Sequence, residues 1–104
     1  MNSENVRTEL SINEQELKKA VLIYRAVNNK LRQQMLKLIH EREKMTVTEI
    51  YSALLLVQSE TSQHLAILRK AGLVKTQREK KNVYYSVNHD RLEQIHKLSA
   101  QLLK

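Results

Sequence analysis

Apolar positions along this chain recur mostly at the spacing of amphipathic helices and once with the alternation of strands. Leu17, Val21, Tyr24 and Val27 form a first helical stripe, and Leu31, Met35, Leu38 and Ile39 begin a second. Asn28-Asn29 separates them, because both residues compete for backbone hydrogen bonds and tolerate turns. The first helix opens at Asn13, whose side chain can cap it while Ile12 and Leu17 staple the entry; it ends near Ala26 or Val27, and the second ends near Glu41. A capping box at Thr46 and Glu49, with Met45 and Ile50 as a staple, starts a short third helix. The run from Ser59 to Gly72 reads as a fourth. The only glycine, Gly72, stands where a helix needs a left-handed residue to stop, with Leu73 placed to touch Leu68 as the hydrophobic partner of a Schellman cap.

Beyond Gly72 the period changes to two. Leu73 to Glu79 and Val83 to Val87 read as strands joined by Lys80-Lys81-Asn82, near enough to pair as a hairpin. Asn88 caps a final helix, with Val87 and Leu92 as its staple and Ile95, Leu98 and Leu102 as its apolar seam. The predicted class is mainly α (α+β). Helix, tight turn, helix and hairpin make a winged helix-turn-helix with a two-stranded β-hairpin wing, flanked by terminal helices suited to dimerisation. Residues 1–12 are polar and weakly periodic, and are expected to be a flexible N-terminal tail; residues 13–104 form one domain, without internal repeat or linker.

Composition sharpens this picture. Eighteen Lys and Arg against eleven Asp and Glu give a formal charge of +7, which suits a polyanionic partner, and 104 residues supply only a modest core. The Leu17, Val21, Tyr24 stripe and the Ile95, Leu98, Leu102 seam exceed what that core needs. A homodimer through the first and last helices is the economical solution. The chain has no Cys, which excludes disulfides and thiolate metal sites. No apolar run is long enough to span a membrane and no signal-like segment follows Met1, so a cytoplasmic protein with no membrane association is expected.

The segments Ala26 to Leu36, Glu49 to Leu54 and Gln58 to Leu65, then Lys70 to Val74 and Val83 to Val87, resemble the ArsR-type winged helix repressors. The most specific pieces are Ser62-Gln63-His64-Leu65, Leu68 to Val74 and Val83-Tyr84-Tyr85-Ser86. The resemblance spans roughly Ala20 to Lys104 and implies a small dimeric regulator that binds operator DNA and is released by an inducer, whose identity it leaves open. Asn29-Lys30 replaces the family's usual Asp-Pro, Leu55 stands at the usual turn glycine, and Val57 at a common Ser or Thr cap. Metal-sensing members place paired Cys within Glu49 to Leu55, where this chain has Tyr51 and Ser52. On the last helix, His89, Asp90, Glu93 and His96 amount to half of a metal site, but Ala100 to Lys104 offers no second half. No metal and no cofactor are expected.

The start of the fourth helix supplies the candidate contacts to double-stranded DNA: Gln58, Ser59, Thr61, Ser62, Gln63 and His64. Gln63 is the foremost base reader, since Gln pairs bidentately with adenine in the major groove. Arg78, Lys80 and Lys81 at the hairpin tip are placed to reach backbone or minor groove as a wing. The sequence therefore points to a sequence-specific transcriptional regulator, a homodimeric repressor on a pseudo-palindromic operator. The alternative is a winged helix protein-interaction module without specific DNA binding. Catalysis is not expected, because the sequence shows neither a nucleophile-base pair nor a Gly-rich phosphate loop.

Overall fold

The computed structural model describes residues 10–104, so the predicted tail at 1–12 lies largely outside the described residues. Five helices and one hairpin follow in the order α1 (Glu14–Val27), α2 (Lys30–Arg42), α3 (Val47–Leu54), α4 (Gln58–Lys70), β1 (Val74–Glu79), β2 (Asn82–Val87) and α5 (His89–Leu102). Side-chain caps set most of the boundaries. Asn13 accepts from Glu16 N at 3.0 Å, Asn29 from Arg32 N at 2.9 Å and Asn88 from Arg91 N at 3.3 Å. Thr46 and Glu49 form the reciprocal capping box at 3.2 and 2.8 Å. Each of these bonds satisfies an amide that the first turn of a helix leaves without an intrahelical partner.

α4 ends in the full Schellman pattern. Leu73 N donates to Leu68 O at 2.9 Å and Gly72 N to Arg69 O at 3.0 Å, with Gly72 at φ 75°. An added Cβ would also lie 3.2 Å from both Nε and Nη2 of Arg91, so the guanidinium would have to give way by a few tenths of an ångström. Asn88 closes the same corner, donating from Nδ2 to Gly72 O at 2.8 Å and from its amide to Leu73 O at 2.9 Å. The end of α4 and the start of α5 are thereby locked together.

β1 and β2 pair antiparallel from Val74 with Val87 to Glu79 with Asn82, leaving a two-residue tip of Lys80 and Lys81. The sequence pattern predicts two strands only. Met45, between α2 and α3, adds a bridge to the outer side of β2: its amide donates to Tyr85 O at 3.0 Å and Tyr85 N to its carbonyl at 2.7 Å. One bridging residue is too short to show as a run of alternation. The same linker anchors the hairpin from its side chains, because Lys44 Nζ donates to both carboxylate oxygens of Glu79 at 2.8 Å and lies 4.8 Å over the Tyr84 ring.

Met35, Ile39, Met45, Ile50, Leu65, Leu68 and Leu73 make the centre of the core, drawn from α2, the α2–α3 linker, α3, α4 and the hairpin entry. α1 contributes only Ala26 to the fully buried set. Most of its length lies outside the core, every residue from Glu14 to Leu22 being exposed.

Candidate nucleic-acid interface

The connection from α3 to α4 is tight. Leu55 takes the left-handed conformation (φ 57°, ψ 44°), Leu55 N donates to Ser52 O at 3.4 Å, and Leu56 N to Tyr51 O at 2.9 Å. A leucine thus occupies a position that favours glycine, and its side chain is 91% exposed, so packing does not offset the strain. Val57 is the N-cap of α4 and makes no side-chain cap. Leu55 and Val57 nonetheless close a tight helix-turn-helix corner, built from residues unfavourable to it.

α4 buries Thr61, Leu65 and Leu68 and presents the opposite face. Gln58, Ser59, Ser62 and Gln63 are all exposed on its first two turns. Thr61 is a correction to the contact set. It is 0% exposed, and its hydroxyl donates to Val57 O at 3.0 Å, so it ties the start of the helix to the turn and cannot reach a base. The sequence alternation of polar residues concealed this, because Thr61 falls in line with Leu65 and Leu68 at helical spacing.

His64 is half-buried at the edge of the exposed face. Its Nδ1 lies 3.0 Å from Nη1 of Arg32, whose other donors go to Ala26 O at 2.7 Å and Arg25 O at 3.2 Å. Arginine has no acceptor, so Nδ1 accepts and the ring hydrogen sits on Nε2. Arg32 thereby fixes the tautomer and orientation of His64, a role the sequence reading missed. Its only signal was a lone arginine in the first turn of a helix. Ala66 and Arg69 were also passed over, although their spacing from Ser62 places them on the same exposed face of α4.

At the wing, Arg78, Lys80 and Lys81 are exposed, and Arg78 Nε approaches Lys80 O at 3.4 Å. Lys80 holds φ 57° at the tip. None of the three forms an ion pair among the described residues, whose salt bridges are Glu14–Lys18, Lys44–Glu79 and Glu93–Lys97. The cations of the tip are thus free for an outside anion, while Lys44 is committed to the hairpin base.

The arsR family pattern of bacterial regulatory proteins matches residues 29–76, from the cap of α2 into β1. The transcriptional activator HlyU of Vibrio cholerae is 39% identical over 87 residues, covering 80% of this chain and 80% of that protein. The chain belongs to the arsR family. Among solved structures, the transcriptional regulator HlyU of Vibrio vulnificus aligns with a TM-score of 0.63 at 39% identity, covering 86% of this chain and 92% of its own. The homodimeric winged helix-turn-helix DNA-binding domain Mb0332 of Mycobacterium bovis aligns with a TM-score of 0.74 at 22% identity, covering 90% and 87%. That last likeness concerns the fold alone. This arsR-family chain is thus a transcriptional regulator of DNA-binding type with a winged helix-turn-helix fold.

Two further histidines meet outside this face. The rings of His40 at the end of α2 and His89 at the start of α5 stand edge to face with centroids 5.0 Å apart. Among the described residues no three His, Asp or Glu side chains converge as a metal site, and no helix is long and apolar enough to cross a membrane.

Proposed function

We propose that this regulator binds a pseudo-palindromic operator as a homodimer, with the exposed face of α4 in the major groove and the hairpin tip on the adjacent backbone or minor groove. The observation that carries the reading is the bare first half of α4: Gln58, Ser59, Ser62 and Gln63 lie opposite a buried face, uncovered by any other element. Gln63 reads adenine, the serines reach bases or phosphates, and His64 donates from Nε2 under the control of Arg32. Lys80, Lys81 and Arg78 supply affinity without sequence preference. An operator overlapping a promoter would make the protein a repressor. Its relative in Vibrio cholerae bears the name of an activator, and the position of the operator decides between the two outcomes.

Selection of bound duplexes from a random pool, followed by titration of two variants, tests this division of labour. Gln63→Ala should cost about 1–3 kcal/mol on the selected site and leave non-specific affinity nearly intact. Lys80→Ala with Lys81→Ala should weaken every duplex and reduce the slope of log affinity against log salt by about one to two units. Equal behaviour of the two variants would refute the assignment of base reader and wing, and failure to select any duplex would favour a protein-interaction module.

A further inference from the structure

α1 carries a second apolar stripe besides Leu17, Val21 and Tyr24. Lys19, Leu22 and Ile23 lie about 180° around the helix from that first stripe at 3.6 residues per turn. They meet Ile67, Lys70 and Ala71 at the end of α4 and Arg91 in the first turn of α5, and together enclose a cavity of about 500 Å³. Its floor is apolar: Ile23, Ala71 and the exposed sides of Leu22 and Ile67. Its rim carries three cations, Lys19, Lys70 and Arg91, and none of them pairs with a carboxylate among the described residues. Ile23 and Arg91 also line the adjoining groove between α1 and α5, beside Tyr24 and Leu98, whereas Lys19, Leu22, Ile67, Lys70 and Ala71 belong to this cavity and not to that groove.

We propose that the cavity binds a small amphipathic anion, an apolar body carrying one carboxylate, and that occupancy is transmitted to α4. Charge and shape select this occupant together. A fully apolar ligand leaves three cations unpaired beside it, while a small hydrophilic anion leaves the floor unfilled; the volume lies in the range of small-molecule sites. The transmission follows from the walls. The ligand touches α1, the terminus of α4 and Arg91, whose guanidinium packs against Gly72 at the cap of α4. An anion drawing on Arg91 acts on the residue that closes the recognition helix, and one wedged between α1 and α4 changes the angle between the dimer helices and the DNA-reading face.

The ligand site stands on the cavity itself, whereas its effect on DNA rests on the function proposed above. Calorimetric titration of the full chain with decanoate below its micellar concentration, alongside decanol and acetate, tests the site. Decanoate should bind one per chain, decanol about tenfold or more weaker, and acetate without measurable heat, since a charge-assisted hydrogen bond and the apolar contact both contribute. Lys19→Glu with Lys70→Glu should lower decanoate affinity by about tenfold or more while circular dichroism and melting stay those of the parent, both side chains being exposed. Equal binding of decanol, or undiminished decanoate binding by the folded double variant, would overturn the proposal. Decanoate should also shift operator affinity, and the operator should shift decanoate affinity by the same factor. Decanoate binding with unchanged operator affinity would overturn the transmission. Decanoate binding by a protein that selects no duplex would instead remove the DNA-binding reading and leave the ligand site standing.

Discussion

Glu43, Leu55, Gly72 and Lys80 hold the backbone at φ between 57° and 75°, yet only one of them is a glycine. The difference lies in what a side chain would meet. At Gly72 the added Cβ would press on Arg91 at 3.2 Å, in addition to the strain of the left-handed region. At Leu55 the side chain meets only solvent. Left-handed backbone costs a non-glycine residue roughly 1–2 kcal/mol, and glycine gives part of that back through its freer unfolded chain. Leu55→Gly should therefore stabilise the fold by about 0.5–1 kcal/mol in urea unfolding, and Gly72→Ala should destabilise it by about 1–2 kcal/mol. A neutral Leu55→Gly would mean that Leu55 has packing in the folded state that its exposure does not reveal. A strained, bare leucine three residues before the recognition helix is the kind of outlier that the fold alone does not require.

The hairpin shows how an element is held and how much of it could be read in advance. Lys44 is kept above the ordinary lysine value of 10.5, first by its hydrogen bond with Glu79 and, against the opposing effect of desolvation, by the charges of Glu79 and Tyr84. A raised value in the folded state means that the anchor stabilises the fold fully below 10.5 and is lost as pH rises through the folded value. Melting temperatures of the parent and of Lys44→Met should thus differ at about pH 8, and the gap should narrow as pH rises above 10.5. A gap that persists at high pH would trace the effect to packing of the lysine stem. None of this pairing was legible in the sequence, since Lys44 and Glu79 are far apart along the chain and belong to no local motif. The caps at Asn13, Thr46 and Asn88, the break at Asn28-Asn29, the stop at Gly72 and the two strands were legible because each is decided by residues within a few positions. The candidate interface divides along the same line. The first turns of α4 could be identified locally, whereas removing Thr61 needed the buried face and finding Arg32 needed a contact 32 residues away.

At the scale of the whole molecule, the apolar surface left over by the core is concentrated on α1 and α5. Leu17 is 57%, Leu98 53% and Leu102 76% exposed, with Val21 beside them and with Tyr24 and Ile95 half-buried between the two helices. Tyr24 Oη and Ser99 Oγ, 3.2 Å apart, hold α1 against α5 within the chain, so the two stripes form one continuous surface. A small domain that leaves such a face to water forgoes much of its available hydrophobic stabilisation, and a second copy recovers it symmetrically. Two copies would also present two α4 helices, one for each half-site of a palindromic operator. Leu98→Asp separates this reading from a monomeric one. A carboxylate at the centre of a dimer seam is buried without a partner, whereas on a free monomer it is merely solvated. Sedimentation at micromolar concentration should show the parent as a dimer and Leu98→Asp as a 12.2 kDa monomer with an intact far-ultraviolet spectrum. The monomer should retain salt-dependent binding to any duplex through its basic wing but lose the gain from occupying both half-sites, which linked binding sets at about 10²-fold or more. Loss of operator affinity without loss of the dimer, or a parent that sediments as a monomer, would place the dimer surface elsewhere or remove it.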